Sequence, residues 1–271
     1  MIQDKNAMTT TSSRPYRSAL YLPASNARAI DKARTLPADV VIFDLEDAVA
    51  PSAKEQAREN LAQAFAQEGF GERVLAIRVN HIATPYFEAD LDLVSACGPD
   101  AILVPKISDA QGLAASAARI SARHFECEPA LWAMIETAGA LTRLREIAAP
   151  MPDGAPRLEC LVVGTNDIAL ETGVSMADGR AWMVPWLMDI VLAAKANGLT
   201  VLDGVWNDFR DTAGFEQEVR QSRKMGFDGK TLIHPSQVDL ANAVFSPSAE
   251  AVDEARAIVS AFERPENRGA G

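Results

Sequence analysis

Asp39–Asp47 reads DVVIFDLED: four consecutive apolar residues, Val40 to Phe43, running into three acids within four positions, Asp44, Glu46 and Asp47. An unbroken run of large, partly β-branched residues is the pattern of a strand buried on both faces, as in parallel sheets. Seven further stretches repeat it: SALYLP, VLAIRVN, AILVPK, LWAMIE, CLVVGTND, TVLDG and KTLIH. Each stops at a polar or charged side chain. The stops are Ser25, Glu46 with Asp47, Arg78 with Asn80, Lys106, Glu136, Asp167, Asp203 and His234.

Between these runs the apolar spacing turns helical. It predicts helices over Asn26–Leu36, Ser52–Glu68 (opened by Pro51), Ala83–Ala96, Ala110–Phe125, Ala138–Ala149, Asp178–Asn197 and Ala213–Met225, with Gly198 and Gly226 as natural stops. Pro235–Ala243 and Ser248–Phe262 complete the outer layer. Eight strand–helix pairs predict an α/β fold, a closed (β/α)8 TIM barrel whose active site gathers at the C-terminal ends of the strands. A single domain is expected over residues 17–262, with a loose polar tail over 1–16 and a flexible tail over 263–271.

The 271 residues suit one such barrel. A net charge of -11 disfavours nonspecific binding to nucleic acid or to an anionic membrane, while leaving room for an anionic small ligand beside a local cation. Three cysteines, Cys97, Cys127 and Cys160, are an odd number without CxxC spacing. That argues against a disulfide framework or a zinc site and suits a reducing cytoplasm. No apolar stretch approaches membrane-spanning length.

Glu136 and Asp167 each follow a buried run on neighbouring strands, so their carboxylates are expected at one mouth, able to share an ion. Two carboxylates without His or Cys favour a hard cation, and few protein ligands favour Mg2+ over Ca2+. The competing role for Asp167 is a helix N-cap. Strand alternation sends Asp44 and Glu46 to one side and Leu45 and Asp47 to the other, and Glu46 and Asp47 are expected to steady metal-bound water. Arg78, a cation inside an apolar strand, needs a partner: a substrate carboxylate or enolate, a salt bridge to Asp44 or Glu46, or both. Lys106 reads as ion-paired rather than as a Schiff-base lysine, His234 as a structural hydrogen-bond donor, and Asp203 as a pocket or turn residue. At Gly164, Thr165 and Asn166 a small turn opens a helix, and its amides are expected to hold a carboxylate.

The ordered motifs RSALYLP, DLEDAVAP, IRVN, VPK, IET, GTND, LDGV and GFDGKTLIHPSQ together resemble the citrate lyase beta-subunit-like family of the HpcH/HpaI aldolase group, among the pyruvate/phosphoenolpyruvate barrels. The resemblance runs from Arg17 to Phe262. It implies a Mg2+-dependent barrel, a homotrimer or hexamer, that cleaves or forms C–C bonds in 3-hydroxyacyl-CoA thioesters. It implies metal ligation by Glu136 and Asp167 and binding of the keto acid or enolate by Arg78. It further implies support from Glu46 and Asp47, and CoA contact from the loop holding Arg17, Asn26 and Arg28. That loop reads PASNAR where many relatives carry a Pro-Gly-Asp type turn. Many relatives also carry a C-terminal tail whose acid enters a neighbouring subunit's site, and the sequence through Gly271 shows none.

The expected activity is therefore lyase cleavage of malyl-, methylmalyl- or citramalyl-CoA through an enolate. The alternatives are hydrolysis of the acyl-CoA thioester at the same site, a citrate lyase beta subunit acting on an acyl carrier protein, and a barrel that binds acyl-CoA or keto acid without turnover.

Overall fold

A computed structural model describes residues 14–263. Its eight strands are all parallel and close on themselves in sequence order, β1 pairing with both β2 and β8. They are β1 (Ser18–Pro23), β2 (Val40–Asp44), β3 (Val74–Arg78), β4 (Ala101–Ile107), β5 (Ala130–Ile135), β6 (Leu158–Val163), β7 (Thr200–Asp203) and β8 (Gly229–Leu232). Around them lie α1 (Ala27–Ala33), α2 (Lys54–Ala66), α3 (Phe87–Cys97), α4 (Ala110–Ser121), α5 (Ala138–Thr142), α6 (Leu144–Ile147), α7 (Thr165–Thr172), the single turn α8 (Ala177–Arg180), α9 (Val184–Ala196), α10 (Thr212–Met225), α11 (Val238–Phe245) and α12 (Ala249–Glu263). The chain is a TIM barrel.

Two apolar layers form, because each strand buries both of its faces. The inner layer fills the barrel with Ala19, Val40, Ile42, Val74, Ala76, Ala101, Leu103, Trp132, Met134, Cys160, Val162 and Leu202. Ala19, Ala76 and Ala101 share this layer with the large Trp132. The outer layer joins strands to helices through residues of the opposite parity, such as Leu20, Val41, Phe43 and Ile77.

The expected helices are present with shifted ends. α3 starts at Phe87 rather than Ala83, because Thr84 turns back onto the His81 carbonyl, with Pro85 next in the chain. The helix expected over Ala138–Ala149 breaks into α5 and α6 at Arg143, whose φ of -129° and ψ of 24° are not helical. The segment expected as one helix from Asp178 is instead a turn with left-handed residues at Asp178 and Gly179, followed by α9. Barrel packing also begins before Arg17. Tyr16 lies against Trp132 at 5.3 Å and donates to Glu159, and Arg14 pairs with Asp100. The remainder of both expected tails lies outside the described residues. All three cysteines are free, and no described helix is long and apolar enough to cross a membrane.

The least expected feature is a buried ion network between β7, β8, α8 and α10. Asp203 accepts from Arg180 Nη1 at 2.7 Å, from Lys230 Nζ at 2.8 Å and from Ser222 Oγ at 2.5 Å. Lys230 also reaches Glu218 at 2.8 Å and the Gly204 carbonyl. Burial opposes ionisation of Asp203, but the two cations hold its carboxyl far below the usual range. Removing one member of a satisfied buried network strands its partners in a low dielectric. Lys230→Met is therefore expected to cost roughly 3–5 kcal/mol of stability, measured by urea unfolding, and an unchanged midpoint would contradict this account.

Candidate active site

The C-terminal strand ends form a cavity of about 370 Å3 lined by residues from most of the rim, among them Tyr21, Asp44, Asp47, Arg78, Gly164 and Asp167. Its charged wall follows from strand register. Asp44 and Arg78 are directly paired positions on β2 and β3, so both side chains leave the sheet at one level and on one side. Arg78 Nε donates to Asp44 Oδ1 at 2.8 Å and Nη2 to Oδ2 at 2.6 Å, a bidentate buried pair. Nη1 lies 3.1 Å from Glu46 Oε2, so the salt-bridge role expected for Arg78 is met by both acids. Burial works against the Arg78 charge, but Asp44 and Glu46 hold its pKa well above the ordinary value. Asp44 also accepts the backbone N–H groups of Glu46 and Ala48, which curls the chain after β2 and presents Glu46.

Lys106 is ion-paired, as expected: its Nζ lies 2.8 Å from Glu46 Oε1 and 3.3 Å from Asp47 Oδ2. Its backbone is left-handed (φ 54°) at an irregularity in the β4–β5 register. In that conformation the Lys106 N–H donates to Glu136 Oε1 at 2.6 Å. A non-glycine residue held in this region is strained, and the cost is accepted where it aims a group.

Glu136 is fully buried at the end of β5. Among the described residues its Oε2 has no hydrogen-bond partner, and the Asp167 carboxyl lies close enough to raise its pKa. Burial first, then Asp167 and Glu46, pushes the Glu136 carboxyl up to about 8. The two acids thus converge as expected. Gly164 makes this possible, because a Cβ there would sit 2.5 Å from the Glu136 Cβ and 2.7 Å from Oε2. Asp167 is not the N-cap of α7. It lies inside the first turn, the cap position is Gly164, and no side chain caps this helix. The helix starts three residues earlier than an Asp167 cap would require, which puts Asp167 inside its first turn.

Three other expectations are corrected in detail. The Gly164 N–H is already given to the Ile135 carbonyl, so Gly164 serves through its missing side chain and not through its amide. Asn166 lines the cavity, exposed, and exchanges two hydrogen bonds with Asn207, bracing α7 against the loop after β7. Thr165 does face the cavity, with a buried Oγ1 that has no partner among the described residues. Asp203 belongs to the buried ion network and not to the pocket. His234 is structural but accepts: its Nδ1 takes the Ser236 N–H, and the ring stacks on Phe209.

The residues expected at CoA divide. Asn26 caps α1 by accepting from Ala29 N, and Arg28 is exposed on the same helix, both on the active rim just past β1. Arg17 precedes β1 at the opposite end of the barrel, with its guanidinium on Asp39 and Ser246, so it is not brought to the site. A strand of six residues separates the two ends, a distance no side chain spans.

Lys54 and Tyr21 were not singled out from sequence. Lys54 is a buried lysine donating to the Leu45 and Glu46 carbonyls and to Asn80, which locks the acidic loop in place. Tyr21 stands beneath Arg78, 5.0 Å from guanidinium carbon to ring centre. Lys54 is set apart from its neighbours by burial, and Tyr21 by facing the cavity, neither of which shows in the chain.

Carboxyls outnumber cations here: Asp44, Glu46, Asp47, Glu136 and Asp167 face Arg78 and Lys106. No group of three or more Asp, Glu, His or Cys side chains is gathered as metal ligands among the described residues, so the protein would supply two hard oxygens, Glu136 and Asp167. An orphaned buried carboxylate oxygen beside a second carboxyl is suited to a divalent cation that keeps water or substrate in its other positions.

An eight-stranded barrel with paired acids and a buried arginine at its C-terminal rim is suited to metal-assisted chemistry on an anionic carbonyl compound. Residues 17–235 match the profile of the HpcH/HpaI aldolase/citrate lyase family, and this chain belongs to that family. It is 46% identical over 257 residues to a (3S)-malyl-CoA thioesterase of Cereibacter sphaeroides, spanning 95% of this chain and 86% of that protein. It is 35% identical over 282 residues to an L-malyl-CoA/beta-methylmalyl-CoA lyase of the same organism, spanning 95% and 87%. Among solved structures it resembles the CitE protein of Mycobacterium tuberculosis in complex with magnesium, acetoacetate and coenzyme A. The TM-score is 0.75 at 30% identity, covering 93% of this chain and 89% of that one.

Two outcomes follow from the paired acids. Glu136 binds its proton more tightly in the folded chain (about 8) than at its ordinary value of 4.5. That contribution to stability is complete below about pH 4.5 and is lost as pH rises through about 8. The melting temperature of the metal-free protein is expected to fall across this window and to flatten in Glu136→Gln, measured by calorimetry against pH. Gly164→Ala, by forcing a methyl group onto Glu136, is expected to abolish Mg2+ stabilisation, read as the melting shift with and without 5 mM MgCl2, on the order of the concentration that fills a millimolar site.

Proposed function

We propose that this chain is a Mg2+-dependent enzyme acting on 3-hydroxyacyl-CoA thioesters of the malyl-CoA kind, and that its reaction is hydrolysis of the thioester. The observation that carries this is the placement of Asp167, which lines the small cavity with Arg78 and shares an adjoining one with Glu136. A volume of about 370 Å3 fits a short dicarboxylic acyl group and leaves the nucleotide end of CoA outside. The thioesterase relative, more similar than the lyase relative over the same share of this chain, supports hydrolysis over C–C cleavage and reverses the order expected from the sequence.

Glu136 and Asp167 would hold Mg2+, which when bound supplies Lewis-acid polarisation of a substrate oxygen. Arg78 gives Nε–H and one Nη2–H to Asp44 and turns Nη1 to Glu46 and the Met134 thioether, which leaves the second Nη2–H for the substrate's free carboxylate. Thr165 Oγ1 offers a further hydrogen bond at the cavity wall. Glu46 and Asp47 keep the Lys106 side chain charged, while its backbone N–H holds Glu136 Oε1. In hydrolysis, water adds to the thioester carbonyl carbon, the C–S bond breaks, and CoA leaves as the thiol with the water's proton. Arg28, exposed at the rim without an ion pair among the described residues, is placed to meet a CoA phosphate.

C–C cleavage is the second reading, supported by the lyase relative and by the same constellation. In that case the 3-hydroxyl proton leaves, the C2–C3 bond breaks, and an acyl-CoA enolate and an oxo acid separate. Assembly into a homo-oligomer is part of the proposal, supported by exposed Leu170, Trp182 and Leu192 near one another in sequence, and light scattering tests it.

Malyl-CoA incubated with Mg2+ and assayed with a thiol reagent and by product chromatography is expected to give free CoA and malate. Acetyl-CoA with glyoxylate would replace hydrolysis by lyase chemistry, and absence of turnover at any metal concentration would leave a binding barrel. Glu136→Gln is expected to lower kcat/KM by more than about a hundredfold.

A further inference from the structure

Tyr21 is the one aromatic side chain on the wall of the active-site cavity, and its hydroxyl is left with almost nothing to bond. Alternation along β1 sends Ala19 and Tyr21 into the barrel and Leu20 and Leu22 outward to the helices. Ala19 lies deep, and Tyr21 sits two residues nearer the rim, level with Ile42 of β2. The ring packs beneath Arg78, with the guanidinium carbon 5.0 Å from the ring centre. That contact fixes the ring without using the hydroxyl. The hydroxyl's sole described partner is the Met134 thioether, at 3.9 Å.

Tyr21 is half-buried on the cavity wall, and a thioether is a weak acceptor, so the hydroxyl's donor is left for what occupies the cavity. Phenylalanine would fill the same space and keep the contact with Arg78, so what the hydroxyl adds is a donor on that wall. The hydroxyl is therefore explained by something that enters the cavity. Burial, only partly opposed by Arg78, pushes its pKa upward, so it stays protonated and can only be a donor to an incoming anion. Arg78 and Met134 line the same cavity, so an oxygen reaching the guanidinium passes within reach of the phenol.

We propose that Tyr21 is a substrate-contacting residue whose hydroxyl donates a hydrogen bond to a carboxylate or carbonyl oxygen at the acid end of the bound substrate, beside Arg78. This rests on the function proposed above for its substrate class, and it assigns the role of reading the small acid and not the CoA moiety. A hydroxyl donor aimed at an anionic oxygen favours a 2-oxo or 2-hydroxy acid over an apolar acyl end, because an apolar group would leave the phenol unpaired.

Tyr21→Phe is the test, since it retains the ring, the contact with Arg78 and the core. Calorimetric titration of glyoxylate and of oxaloacetate into protein with saturating Mg2+ is expected to give dissociation constants about tenfold to a hundredfold weaker in the variant. Mg2+ affinity and melting temperature are expected to match wild type. Equal oxo-acid affinity in the two proteins overturns the proposal, as does failure of wild type to bind either acid at millimolar concentration. Weakened oxo-acid binding in a protein that turns over no malyl-CoA upholds Tyr21 and sinks the proposed reaction. Unaltered binding with unaltered malyl-CoA hydrolysis sinks Tyr21 and leaves the reaction standing.

Discussion

The guanidinium of Arg78 has to be taken out of water at the mouth of an apolar barrel, and the shape of the site answers that requirement. Its two bonds to Asp44 repay much of the desolvation. Asp44 in turn gathers the amides of the following turn, which lifts Glu46 toward the same cation. Tyr21 covers the remaining face of the guanidinium plane. A single buried charge thereby orders three strands and the acidic loop after β2.

The opposite wall has no such answer. Glu136 is buried without a formal positive partner, and its neighbour Asp167 carries the same sign. Protonation relieves the repulsion in the protein alone, which is why the Glu136 carboxyl is raised to about 8. A divalent cation would relieve it without a proton. Such a site stores unfavourable electrostatics in the free chain and releases it on binding, a common arrangement where pKa values are strongly displaced. Lys106 fixes where this happens, since its strained backbone directs one N–H at Glu136 while its side chain stays with Glu46 and Asp47.

Charge is also buried where no substrate reaches. The network of Asp203, Arg180, Lys230, Glu218 and Ser222 balances positive against negative and satisfies its members with hydrogen bonds. Strands β7 and β8, four residues each, are the shortest in the barrel. Ionic links to α8 and α10 tie that sector together. Satisfied charges there are structural, while the unsatisfied oxygen of Glu136 marks the site.

The barrel could be read along the chain, because eight apolar runs of strand length alternating with helical spacing leave few other ways to bury them. The rim acids and Arg78 could be read too, since a strand's end is visible wherever its apolar run stops. Helix ends were less legible: Asp167 was placed one turn out, because local pattern does not show that α7 begins at Thr165. Arg17 carried a motif yet lies at the far end of β1, since motif position says nothing of which mouth a side chain serves. Lys54, Tyr21, Lys230 and Arg180 look like ordinary residues in one dimension. Their roles arise from burial and from partners distant in the chain, and both exist only once the strands have closed in register. Periodicity is local and survives in the linear order of residues, whereas the pairing of charges across strands is a property of the closed barrel alone.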